Sequence, residues 1–134
     1  LLLPLVATAI LAPSWALCGE ELIVTAELVE IPSEPPPDDL YDYAFVMKYR
    51  VKGGAQDGQM LFVAHYKPRQ PRAKIDKAMQ SLVGGKVKRF RTGDVHRLVL
   101  LPELGKVFNG AVVDEYFAAD RKSPRYWCKQ VDPA

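Results

Sequence analysis

The chain has 134 residues, with 18 Lys and Arg against 16 Asp and Glu, two cysteines and an apolar fraction of 49%. This is enough for one ordinary domain and too little for two. Beyond the N-terminal stretch no run approaches the ~20 apolar residues of a membrane-spanning helix, so no integral membrane segment is expected.

Residues 1–12, LLLPLVATAILA, are apolar and uncharged, and Pro13 follows. The stretch is too short to span a bilayer but fits the hydrophobic region of a secretory signal. Ser14-Trp15-Ala16 puts small residues at −3 and −1 of a cleavage site. The expectation is a signal peptide over 1–16, truncated at its start, with a buried N-terminal strand or helix as the alternative. Residues 17–134 then form a single β-barrel domain in the periplasm or outside the cell. Leu17, before Cys18, is not the small residue that lipoprotein processing prefers. In an oxidising compartment Cys18 and Cys128 are expected to pair as a disulfide, and closing so long a loop is worth up to ~4–5 kcal/mol. Two free thiols are the alternative.

Residues 21–31, ELIVTAELVEI, are rich in β-formers and end at Pro32. The following SEPPPDD is a stiff loop, since three prolines donate no ladder hydrogen bonds. Residues 41–52 alternate with period two. Tyr41, Tyr43, Phe45, Met47, Tyr49 and Val51 share one face, which predicts a half-buried strand. Gly53-Gly54 and Asp57-Gly58 turn the chain into a second strand, Met60–Tyr66, completing a hairpin. Residues 71–82 predict a short helix, with Pro71 at its start, Ile75, Met79 and Leu82 as an apolar stripe, and Gly84-Gly85 as its stop. Residues 87–91 suggest a brief strand. Thr92-Gly93-Asp94 is a turn, and Val95–Leu101 is a strand ended by Pro102. Residues 106–117 are ambiguous around the Asn109-Gly110 turn signal, and 126–131 predict a last strand.

This order predicts a mainly β fold: a small five-stranded OB-like antiparallel barrel, with one short helix between strands three and four plugging one end. A β-sandwich or an open sheet with one helix is the alternative.

Chemistry is sparse. His65 shares a strand face with Leu61 and Val63, and its position at a strand end predicts a rim histidine held by hydrogen bonds. Asp94 and His96, two apart, point to one face of a strand. If folding brought His65 to them, the three would form a metal or acid–base site. There is no nucleophile elbow, and Gly84-Gly85-Lys86 follows the predicted helix where a phosphate loop would precede it. No cofactor is expected.

The charge is segregated. Residues 18–42 carry eight acids and no base, whereas 67–97 carry ten bases and two acids, Asp76 and Asp94. Such asymmetry implies an anionic partner for the basic half, two halves that face each other, or a solvated surface. The candidate anion-binding set is Lys48, Arg50, Lys67, Arg69, Arg72, Lys74, Lys88, Arg89 and Arg91, with Lys86 beside it. Export argues against nucleic acid, so an acidic polysaccharide or an envelope protein suits this charge better.

Three strand patterns, Tyr41-Asp42-Tyr43-Ala44-Phe45-Val46, Leu61-Phe62-Val63-Ala64-His65 and Gly93-Asp94-Val95-His96-Arg97-Leu98, carry a resemblance. Over roughly residues 23–104 the chain resembles small exported bacterial proteins found alongside alginate-type polysaccharide O-acetylation machinery. It departs from them in the basic segment 67–91 and in its C-terminal part. The resemblance implies no catalytic residue, and makes His65 and Arg97 pattern positions only. The function expected first is an exported, non-catalytic binding or accessory module for an anionic envelope polysaccharide or its modification machinery. The alternatives are a metal-dependent or acid–base enzyme using His65, Asp94 and His96, and a disulfide-stapled protein-interaction domain.

Overall fold

A computed structural model describes residues 21–134; the expected signal peptide and Cys18 lie outside the described residues. The strands are β1 (Leu22–Glu30), β2 (Tyr43–Val51), β3 (Met60–Tyr66), β4 (Gly84–Gly85), β5 (Val95–Leu101), β6 (Ala111–Val113) and β7 (Arg125–Pro133). The hairpin of β2 and β3 falls where the alternation and the paired glycines place it.

All seven strands belong to one mixed sheet, in the order β1-β5-β7-β3-β2-β6, with β4 on β7 and a further pairing of β1 with β2. That last pairing runs Ala26 against Val51 and Leu28 against Tyr49, and returns the path from β1 to β2. The mainly β expectation holds. The strand count and the all-antiparallel pairing do not: β2–β6, β3–β7 and β4–β7 are parallel. One edge of β2 is shared, its first half with β6 and its second half with β1.

Period two sorts the side chains into two cores on opposite faces. One holds Leu22, Ala26, Leu28, Tyr43, Phe45, Met47, Tyr49, Val51, Leu61, Val63, Leu98, Leu100, Tyr126, Cys128 and Val131. The other holds Ala44, Val46, Ala64, Tyr66 and Trp127 beneath Ile75, Val83 and Leu104. The first half of β2 is therefore buried on both faces, more deeply than its alternation predicts.

The helix expected over 71–82 is absent. Two single 3-10 turns, Arg72–Lys74 and Lys77–Met79, stand in its place, separated by Ile75 and Asp76 in extended backbone. An apolar stripe of three residues gains less from helical packing than from direct anchoring. Ile75 enters the second core, Trp127 Nε1 donates to the Leu82 carbonyl at 2.8 Å, and the Tyr66 hydroxyl donates to Asp76 at 3.1 Å. The only α-helix among the described residues, α1, is the single turn Leu104–Val107, which starts just before the stretch 106–117 that reads ambiguously. No helix among them is long and apolar enough to cross a membrane.

The strand expected over 87–91 is also absent. This segment is irregular chain tied to β7, with the Lys86 and Val87 amides donating to the Val131 carbonyl at 3.1 and 3.3 Å. The turn at 92–94 is fastened to β1: Gly93 N donates to Leu28 O at 2.7 Å, and Leu28 N to Asp94 O at 2.9 Å. The expected Cys18–Cys128 disulfide is not supported. Cys128 is a free, buried thiol whose Sγ lies 3.3 Å from the Gln130 carbonyl.

Candidate functional site

β2, β3 and β5 each send one polar ring into the first core at the same end. Tyr49 Oη lies 2.8 Å from His65 Nε2 and 3.0 Å from His96 Nδ1, so a single hydroxyl joins both imidazoles. The Phe90 ring packs on both, its centroid 4.4 Å from that of His65 and 5.7 Å from that of His96. His65 is 1% exposed and His96 2% exposed. His65 is thus a core residue and not the rim histidine its strand-end position predicts.

Arg72 is likewise not at the surface. At 4% exposure its guanidinium lies over the Phe90 ring and donates to the carbonyls of Lys67 and Gln70, at 2.7 and 3.0 Å. Burial lowers its pKa to about 10, which leaves it charged at neutral pH. His65 Nδ1 and Arg72 Nε are enclosed without a hydrogen-bond partner. Burial, seconded by the Arg72 charge and by His96, holds His65 well below the ordinary histidine range. Burial also lowers His96, against the opposing pull of Asp94, and raises the Tyr49 phenol well above its usual value. The cluster is therefore neutral apart from Arg72.

The metal alternative does not assemble. Tyr49 occupies one nitrogen of each histidine, Asp94 pairs with Arg91 at 3.5 Å, and no group of three metal-capable side chains exists among the described residues.

The segregated charge turns out to be partly internal. Lys48 pairs with Glu30 at 4.0 Å, and Arg50 and Lys52 pair with Glu27 at 3.0 and 3.3 Å. Lys67 pairs with Asp42 at 2.8 Å, a bond that holds the lysine above and the carboxylate below its ordinary range. Arg69 reaches Glu34 at 3.8 Å and donates through Nε to the carbonyls of Pro35 and Pro36. The N-terminal acids and the proline loop thus absorb much of the proposed set. Among the described residues Lys74, Lys77, Lys86, Lys88, Arg89, Arg97, Arg121 and Lys122 are exposed and make no ion pair.

Three of those free cations belong to the irregular segment 86–91, and three clefts border it. The largest, about 630 Å³, lies between this segment and the start of β5 and has His96 among its lining residues. A second runs between 71–74 and 85–88, and a third lies under Pro35, Pro68 and Arg69. Sequence reasoning missed that the cationic segment and the buried histidine meet. The signal was present, since His96 alternates with Leu98 and Leu100, and a core tyrosine requires a polar partner. Compared with known proteins, the chain matches no family model, no curated protein and no solved structure at a significant level.

Proposed function

We propose that this protein is an exported, non-catalytic binding module for an anionic envelope polysaccharide, or an accessory to the machinery that modifies it. The observation that carries the reading is the contrast among the cations. Those on β2 and in 67–69 are neutralised by carboxylates of the same chain, whereas Lys86, Lys88 and Arg89 are exposed, unpaired and flanked by clefts. Unpaired cations around concave surface attract a flexible polyanion without a preformed deep pocket. We propose with it that the strand patterns expected to resemble exported proteins found alongside polysaccharide O-acetylation machinery reflect the same ligand class.

We read the circuit β1-β2-β3-β7-β5 as an OB-type barrel whose end is closed by 67–94, with Phe90 as the plug in place of a helix. OB folds commonly bind polymers on the face of strands two and three. Here that face is covered, because Ala44, Val46, Ala64 and Tyr66 are buried in the second core. The ligand surface is therefore the closing segment itself.

The test is calorimetric titration of the protein with a short oligouronate at low and at high salt. Attraction between exposed charges is screened within ~8–10 Å at physiological ionic strength, so affinity should fall steeply as salt rises. An absence of binding at low salt, or binding indifferent to salt, would overturn the reading.

A further inference from the structure

His96 lies where the buried cluster meets the largest cleft. Its Nδ1 is 3.0 Å from Tyr49 Oη, and Nε2, on the far side of the ring, makes no hydrogen bond among the described residues. The cleft that His96 lines carries Lys86, Lys88 and Arg89.

The position of the protons follows from counting them. The Tyr49 hydroxyl has one proton, so it donates to one imidazole and accepts from the other. If it donated to His65 Nε2, a neutral His65 would carry its proton on Nδ1. That nitrogen is enclosed without an acceptor, and its ring already feels the Arg72 charge. A buried N–H with no acceptor is a rarer and costlier defect than an unused lone pair. Tyr49 therefore donates to His96 Nδ1 and accepts from His65 Nε2–H. His96 then carries its proton on Nε2, the ring nitrogen without a partner among the described residues.

Resting on the polyanion reading above, we propose that this cleft is a subsite for one oxyanion group of an acidic sugar, with His96 Nε2–H as a fixed neutral donor and Lys86, Lys88 and Arg89 as the surrounding charge. Exposed lysines attract an anion but do not place it, because their charge is compact and their stems are flexible. A buried imidazole held on one side by a phenol is directional. Asp94 also borders the cleft, and its pairing with Arg91 at 3.5 Å removes both from the count of free charges. Tyr49 acts here as a positioning residue: it fixes the tautomer of His96 and touches no ligand.

The experiment is long-range 1H–15N correlation on full-length protein labelled at histidine, alone and during titration with a carboxylated and, separately, a sulfated oligosaccharide. The expected result is His96 as the Nε2–H tautomer, with a saturable shift at Nε2 on ligand addition. Either arm that moves it supports the subsite and identifies its anion. His96→Leu should weaken binding roughly ten-fold, the scale of one hydrogen bond to a charged group, while His96→Gln, which keeps an N–H donor, should lose less. Binding with the His96 signals unmoved, or the Nδ1–H tautomer, would overturn the subsite and leave the polysaccharide reading standing. No binding in either arm at low salt would overturn both.

Discussion

Tyr49 and His65 sit on adjacent strands and meet inside the core, Oη to Nε2 at 2.8 Å, while the same hydroxyl also meets His96 on β5. One oxygen therefore partners one nitrogen of each of two buried imidazoles. Tyr49→Phe preserves the ring and its packing but strands both nitrogens. Unsatisfied buried polar groups cost about 1–3 kcal/mol each, and each kcal/mol is worth roughly 4–8 °C in Tm for a small domain. Thermal denaturation should show a loss of at least several degrees; an unchanged Tm would mean that the bridge contributes nothing.

The same burial makes stability depend on pH. Both histidines have folded-state pKa values lowered from the ordinary range. The unfolded chain therefore binds protons that the folded chain refuses once the pH falls below about 6.5. The contribution is present in full above that point and is lost as pH drops toward the lowered folded-state values, by up to about 1.4 kcal/mol per pH unit for each histidine. Urea denaturation between pH 8 and pH 5 should show this slope, and the double variant His65→Gln with His96→Gln should flatten it. An equal slope in that variant would assign the acid sensitivity to other groups.

The strand alternation in the sequence specifies which side chains point together, and it placed β2, β3 and β5 and the apolar faces correctly. It does not say what covers the opposite face, so the burial of Ala44 and Val46 was invisible. Residues 71–82 misread for a related reason. Pro71, good helix formers and a following glycine pair satisfy local rules, but Trp127, far along the chain, binds the Leu82 carbonyl, and Tyr66, at the end of β3, binds the Asp76 side chain instead. Tertiary anchoring overrode local propensity. At the site, His65 and His96 were both marked by their alternation with core residues. Their joint capture by Tyr49 depends on strand pairing across the sheet, which no local pattern encodes.

Gly85 is fixed by close approach. Its φ is +113°, and a Cβ there would lie 2.0 Å from the Val131 carbonyl oxygen. Gly85→Ala should detach β4 from β7 and loosen the start of 86–91. The expected cost exceeds the ~1 kcal/mol of an ordinary glycine replacement, and hydrogen exchange should speed up at the Lys86 and Val87 amides. Gly53→Ala, where a Cβ meets nothing within 4 Å, carries only the backbone strain. Equal stability of the two variants would refute the close contact.

Cys128 is free and 3% exposed, and burial pushes its thiol up to about 12. Native protein should resist alkylation at this residue and react fully in denaturant, because the thiolate is the reactive form. Peptide mapping decides the matter: rapid native labelling of Cys128 would contradict its burial, and recovery of the residue in a disulfide would contradict the free thiol.

If the proposed ligand surface is the segment 86–91 and not basic residues in general, two charge reversals compared in the same oligouronate titration at low salt should differ. Lys86→Glu, Lys88→Glu and Arg89→Glu together should reduce affinity by well over ten-fold. Lys48→Glu with Arg50→Glu, which changes cations already paired to Glu30 and Glu27, should leave affinity within a few-fold of wild type once circular dichroism shows both variants folded. Equal losses in the two variants, or a greater loss in the second, would contradict the account.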